Sequence, residues 1–220
     1  CLISMFALLL AGCIRIEMKV NKDGSCDLKY EIRTEGMIGS DEVKTQLENS
    51  IKQANDEAGK NVAKLKGFKE KDGVITANIS LSDISYMGGD AFFGKLSDFE
   101  KEYPGYLDEL MEAKKGEYVS RDKIKGAGRL NVVRVSGVTA GSGDIIEFKV
   151  ILPGTVKYIS SNVTLVDSKT VNVNSGYGII LYERGGGAGW LVYVIVIAIV
   201  VVVLISVFGN KGRRKSSTVG

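Results

Sequence analysis

Residues 14–33 read IRIEMKVNKDGSCDLKYEIR, and this stretch decides the fold. Apolar side chains alternate with charged ones on both sides of a short polar segment at residues 21–24. Alternation with a period of two is typical of a strand that has one buried and one solvated face. Asn, Asp and Gly tolerate the positive φ angles of tight turns. The stretch therefore predicts a β-hairpin with its turn at Asn21-Lys22-Asp23-Gly24.

A helix and a second hairpin are predicted after this one. Ser40 is the expected N-cap of a helix that runs to about Gly59, because apolar residues recur there every three or four positions. A hairpin is expected over residues 62–81, turning at Lys71-Asp72-Gly73. Two short helices, at residues 96–103 and 106–114, are expected on either side of Pro104-Gly105.

The remainder of the domain has the pattern of strands. They are predicted at residues 130–135, 145–152, 155–159, 163–166, 170–173 and 178–182. Strands, then helices, then strands indicate the α+β class, with an antiparallel sheet and a few helices. The expected fold class adds one C-terminal transmembrane helix, described below.

The first residues have the character of a lipoprotein signal. An apolar run at residues 2–10 leads into Leu10, Ala11, Gly12 and Cys13, which is the pattern of a bacterial lipobox. The lipobox chemistry uses a thiol as acceptor of a diacylglyceryl group, with small residues before it at the cleavage site. We expect residues 1–12 to be a signal whose basic n-region is missing, and Cys13 to be lipidated. An ordinary signal peptide or a core helix is the alternative.

A second apolar segment occupies residues 190–208, with no charged residue. As a helix it would be roughly 28 Å long, close to the hydrocarbon thickness of a bilayer. Trp190 is at one boundary, and the tail of residues 209–220 has four basic residues: Lys211, Arg213, Arg214 and Lys215. The positive-inside rule then puts that tail in the cytoplasm and the domain of residues 13–184 outside. Residues 185–189 read as a glycine linker.

This arrangement predicts a single-pass protein of the cell membrane with an extracytoplasmic domain. The first strand follows Cys13 directly, and the last strand ends just before the linker. Both ends of the domain are therefore expected to face the membrane. The membrane is the expected partner, and the sequence indicates no particular protein partner.

Composition argues against several classes of function. The chain has 29 basic and 26 acidic residues, and four of the basic residues are in the tail. The domain is therefore nearly neutral, whereas a nucleic-acid-binding domain is expected to have a basic face. It has no histidine, which removes the usual general base and nearly all zinc sites. Cys26 lies on the apolar side of an alternating strand, so we expect it to be a small buried residue and not a reactive thiol. We predict no catalytic residue, no cofactor and no metal, and expect no enzyme.

Aromatic residues concentrate in the middle of the chain. As candidate ligand-binding residues we take those that would line an apolar groove: Tyr86, Phe92, Phe93, Tyr103 and Tyr106. The alternative is that they fill the core between helices and sheet.

The order of these parts resembles the LppM-type lipoproteins, known mostly from actinobacteria. The matching features are the lipobox running directly into Ile14-Arg15-Ile16-Glu17, the turn at residues 21–25, Leu152-Pro153-Gly154, and the terminal membrane segment with its basic tail. The resemblance implies a membrane-anchored envelope protein whose α+β domain binds lipid or glycolipid, and it brings no catalytic residues. The alternative is a non-enzymatic protein-interaction or envelope-sensing module.

Overall fold

The fold is known from a computed structural model that describes residues 14–33, 39–88, 90–136, 146–174 and 176–184. These residues form two β-sheets, and one apolar core draws side chains from both. The first sheet has seven strands in the order β11 (Val163–Leu165), β12 (Thr170–Val173), β9 (Ile146–Ile151), β1 (Ile14–Val20), β2 (Cys26–Arg33), β4 (Val74–Leu81), β3 (Ala63–Lys71). The second has six in the order β5 (Phe92–Lys95), β8 (Leu130–Ser136), β13 (Tyr177–Arg184), β10 (Gly154–Ser160), β6 (Leu110–Glu112), β7 (Tyr118–Val119).

The predicted first hairpin is confirmed. β1 and β2 pair antiparallel from Ile14 opposite Ile32 to Val20 opposite Cys26. Their apolar side chains are buried, while Arg15 and Lys19 face solvent. The turn closes with a hydrogen bond from the Asn21 amide to the Ser25 carbonyl (2.8 Å), and Gly24 has a φ of 92° that favours glycine.

Helix α1 (Ser40–Ala58) also lies where the periodicity predicts. Its stripe of Val43, Leu47 and Ile51 is buried, and Gly59 ends it in the left-handed conformation. The N-cap is Gly39 and not Ser40, and no side chain caps that end. At the other end the Asn55 side chain accepts hydrogen bonds from the amides of Val62 (2.7 Å) and Ala63 (2.8 Å), which fixes the helix to β3.

The expected fold class, α+β with an antiparallel sheet, is wrong. Strands dominate the described residues, with α1 and the short α2 (Leu96–Glu102) as α-helices and 3₁₀ turns at Ile84–Met87, Arg121–Lys123 and Ala127–Arg129. The first sheet is mixed, because β1 pairs parallel with β9. The helix predicted at residues 106–114 is replaced by β6, since Leu110 is fully buried and pairs with Ser160 and Val119.

No helix within the described ranges is long and apolar enough to cross a membrane. The transmembrane helix included in the expected fold class is therefore not supported. The predicted segment at residues 190–208, with Trp190 and the basic tail, lies outside the described residues. The lipobox and Cys13 lie outside them as well.

The two ends of the described chain do not lie side by side. Ile14 begins β1, and the Gly24 turn follows the far end of that strand, about 20 Å away at 3.3 Å per residue. Phe93 packs on this turn, and the Arg184 guanidinium lies 5.9 Å from the Phe93 ring centroid. Arg184 is thus at the end of the first sheet opposite Ile14. Both ends could therefore meet one membrane only if the strands lay along its surface.

Candidate functional site

Most of the aromatic residues singled out from the sequence fill core space. Phe92 packs edge-on against Phe99 at 5.2 Å between ring centroids, and Tyr103 lies 5.0 Å from Phe99. Together they cover the face of the second sheet that points away from the first sheet. Phe93 and Tyr86 pack at the edge of the main core, where Lys60 lies 5.6 Å from the Tyr86 ring centroid. Four of the five candidates therefore pack against the two apolar clusters of the described residues.

The fifth candidate, Tyr106, lines an open groove in the described part of the chain. This groove has a volume of about 760 Å³. Tyr106 and Tyr177 are its aromatic members and are 48% and 44% exposed. The remaining lining residues are mainly polar or small: Pro104, Gly105, Asp108, Glu109, Ser160, Ser161, Asn162, Gly176 and Ile179.

Side-chain hydrogen bonds order one wall of the groove. The Asn162 amide nitrogen donates to the Tyr177 carbonyl at 3.0 Å. The Ser160 hydroxyl donates to the Asn162 side-chain oxygen at 2.7 Å and accepts from the Ile179 amide at 3.0 Å. These bonds connect the end of β10 to the start of β13, so the wall that presents Tyr177 is tied to two neighbouring strands.

The groove lies toward the end of the fold at which β1 begins. Val163, next to Asn162, pairs with Val173. In the same sheet Asn172 pairs with Lys149, which pairs with Glu17. The strand register therefore brings Asn162 level with the first half of β1, on the Ile14 side of the domain and away from the Gly24 turn.

Behind the two tyrosines lies a buried cation. Arg134 on β8 is only 1% exposed, and its guanidinium carbon lies 4.5, 5.0 and 4.3 Å from the ring centroids of Tyr103, Tyr106 and Tyr177. It donates to the Asp90 carbonyl at 3.0 Å, with the Asp90 carboxylate 3.7 Å away. Its Nε is buried and has no hydrogen-bond partner among the described residues.

The surroundings of Arg134 stabilise its charge mainly through aromatic rings. Removing an ion from water costs several kcal/mol, and each of the three cation–π contacts returns about 2 kcal/mol. The Asp90 carboxylate is 65% exposed, which screens its attraction. Asp90 also has a positive φ of 58°, an unusual conformation for a residue other than glycine. The guanidinium thus lies beneath the half-exposed Tyr106 and Tyr177 rings, and its Nε–H has no hydrogen-bond partner among the described residues.

Sequence reasoning missed Arg134, although a signal was present. In the strand Leu130–Ser136 it shares a face with Leu130 and Val132, both buried. A charged residue at an inward strand position is rare unless it has a partner. The inward position of Arg134 in β8 is therefore the sequence feature that identifies this site.

Burial raises the pKa of one group beside Arg134 and of another at the Gly24 end of the fold. Burial raises the pKa of the Tyr103 hydroxyl, with a hydrogen bond to Glu102 acting in the same direction. Burial also raises the pKa of the Cys26 thiol to about 12, which keeps it protonated and unreactive. Within the described part of the chain no cluster of three His, Cys, Asp or Glu side chains could hold a metal ion.

No protein-family model and no curated protein matches this chain. Among solved structures it is similar to the NMR structure of the Mycobacterium tuberculosis LppM folded domain, with 9% sequence identity and a TM-score of 0.33. The superposition covers 80% of this chain and 91% of that chain. Similarity at this level does not assign the chain to a family, so the groove is interpreted from its own geometry.

Proposed function

We propose that this protein is a cell-envelope lipoprotein whose domain binds the polar headgroup of a lipid or glycolipid in the groove between Tyr106 and Tyr177. The observation that carries the proposal is the position of the groove, on the Ile14 side of the domain. Ile14 follows Cys13 directly. A diacylglyceryl group on Cys13 would hold this side of the domain at the membrane surface, where headgroups are concentrated.

The lining of the groove fits a headgroup better than an acyl chain. An acyl chain needs an enclosed apolar cavity, but Phe92, Phe99 and Tyr103 pack against each other. The groove itself is open, and it combines two half-exposed tyrosine rings with amide, hydroxyl and carboxylate groups. Such a mixture orients a polar ligand while the rings contribute apolar contact area.

Attachment through Cys13 is tested separately from binding. Cells expressing Cys13→Ser should show loss of metabolic labelling with a fatty acid, whereas Cys26→Ser should remain labelled. Labelling that persists in Cys13→Ser would contradict the proposed anchor.

Headgroup binding is tested with residues 13–184, which contain both apolar clusters of the described structure, and with vesicles made from total envelope lipids. Ending the chain at Arg184 leaves out the apolar segment at residues 190–208, which would insert into vesicles by itself. Tyr177→Ala should reduce the bound fraction at least five-fold, because it removes one wall of the groove. Tyr118→Ala is the matched control, since Tyr118 is 71% exposed and lies outside the groove. Because the Cys13 lipid would itself insert into vesicles, both variants also carry Cys13→Ser. Equal losses in the two variants, or none, would contradict the proposal.

One observation favours the alternative of a protein-interaction or envelope-sensing module. Tyr118 is on β7, which forms an edge of the second sheet, and its ring is largely exposed. An exposed aromatic on a strand edge can contact a partner chain. Crosslinking in intact cells distinguishes the two functions. If a protein partner is crosslinked in stoichiometric amount to the unchanged protein and to Tyr177→Ala but not to Tyr118→Ala, the protein-interaction module is favoured.

A further inference from the structure

We infer that the groove selects a zwitterionic headgroup, in which Arg134 receives a phosphate and the carboxylates of Asp108 and Glu109 receive an ammonium group. The inference rests on the proposed function, because it names the class of headgroup that the same groove takes. It is drawn from the charges around the two tyrosines.

The phosphate half of the inference comes from Arg134. Its Nε has no hydrogen-bond partner in the described structure, and its hydrogen bond goes to a neutral carbonyl, that of Asp90. A guanidinium presents its donors as a planar fork that matches two phosphate oxygens. The Tyr106 and Tyr177 rings both cover this group and line the groove. Because each ring is about half exposed, rotation of one of them would open a path from the groove to the guanidinium.

The ammonium half comes from the opposite charge in the same groove. Asp108 and Glu109 both line it and are exposed, and neither forms a salt bridge with another described residue. Tyrosine faces attract ammonium groups as well. A purely anionic ligand would be repelled by the two carboxylates, and a purely cationic one by Arg134. A ligand that carries both charges has an oppositely charged partner for each.

The test uses the full chain with Cys13→Ser in detergent micelles and three soluble probes. They are glycerophosphoethanolamine (both charges), glycerol 3-phosphate (anion) and ethanolamine (cation). We expect glycerophosphoethanolamine to bind at least ten-fold more tightly than either of the others in calorimetric titrations. Arg134→Lys should weaken both phosphate probes, because a lysine lacks the planar fork and is shorter.

A second variant keeps the test sound if Arg134→Lys fails to fold. The surface changes Asp108→Asn and Glu109→Gln together should remove the preference, so that glycerol 3-phosphate binds within two-fold of glycerophosphoethanolamine. Asp56→Asn, on the exposed face of α1, is the control and should leave the ten-fold preference intact.

The outcomes separate this inference from the proposed function. If the three probes bind equally, or the anion binds most tightly, while Tyr177→Ala still abolishes vesicle binding, the headgroup class is wrong and the groove remains the binding site. If neither probes nor envelope vesicles bind, both proposals are overturned.

Discussion

The guanidinium carbon of Arg134 lies 4.3 Å from the centroid of the Tyr177 ring, on a diagonal between two paired strands. Arg134 is opposite Ile179 in the β8–β13 register, and Tyr177 is two residues away along β13. The half-exposed Tyr177 ring thus covers a buried cation at the wall of the groove. The stability of the domain and the shape of the groove are linked through this pair.

Replacing Tyr177 tests that link. Tyr177→Ala removes a cation–π contact to a desolvated guanidinium and should lower the free energy of unfolding by about 1–2 kcal/mol. Tyr177→Phe keeps the ring face and should cost less than about 0.5 kcal/mol. Urea unfolding curves measure both, with Tyr118→Ala as a surface control. A Phe variant as unstable as the Ala variant would show that the hydroxyl, and not the ring face, stabilises this position.

Asn55 should be among the most sensitive polar residues of the domain. Its side chain accepts from the amides of Val62 and Ala63 and donates to the Ala63 carbonyl at 3.0 Å. Asn55→Ala leaves these groups without a partner and should cost about 2–3 kcal/mol of unfolding free energy. Gln53→Ala, which removes a solvent-exposed hydrogen bond to Glu57, should cost less than about 0.5 kcal/mol. Similar losses in both variants would rule out the structural role of Asn55.

Gly154 occupies a position where backbone strands approach too closely for a side chain. A Cβ built there would clash with the Glu183 carbonyl oxygen. Gly154→Ala should therefore separate β10 from β13 and destabilise the domain by about 3 kcal/mol. At Gly128 a Cβ would meet nothing within 4 Å, so Gly128→Ala is the control and should be nearly neutral. The melting temperatures of the two variants provide the comparison.

Cys26 should resist modification in the folded protein. Its pKa is raised from 9.0 to about 12, first by burial and then by the Asp27 and Asp83 carboxylates. With Cys1 and Cys13 replaced by serine, a disulfide reagent at pH 8 should label the thiol only after urea unfolding. The unfolded thiol ionises near 9.0 while the folded one does not, so the stability that depends on this shift is lost as pH rises above about 9. Rapid labelling of the native protein would contradict the buried position.

Local pattern was enough to predict the first hairpin, α1 and the turn at Asp72-Gly73. In each case the informative residues are close in sequence: apolar alternation defines β1 and β2, and the spacing of Val43 and Leu47 defines the helix. At Asp72 and Gly73 both φ angles are positive, as a two-residue hairpin turn requires.

Long-range pairing is what the sequence did not reveal. The parallel pairing of β1 with β9 joins residues more than a hundred positions apart, and alternation alone does not distinguish parallel from antiparallel neighbours. The helical spacing of Leu107, Leu110 and Met111 is overridden by the hydrogen bonds that β6 makes to β10. Arg134 shares a strand face with Leu130 and Val132, but the aromatic rings that cover it come from distant positions in the sequence, which local pattern does not bring together.

Solution NMR of the Cys13-lipidated full chain in nanodiscs that contain a headgroup-labelled nitroxide lipid tests the central claim most directly. If the groove faces the membrane and binds headgroups, the amide signals of Tyr106, Asn162 and Tyr177 should be broadened by the spin label. Broadening at the Gly24 turn with an unaffected groove would contradict the account.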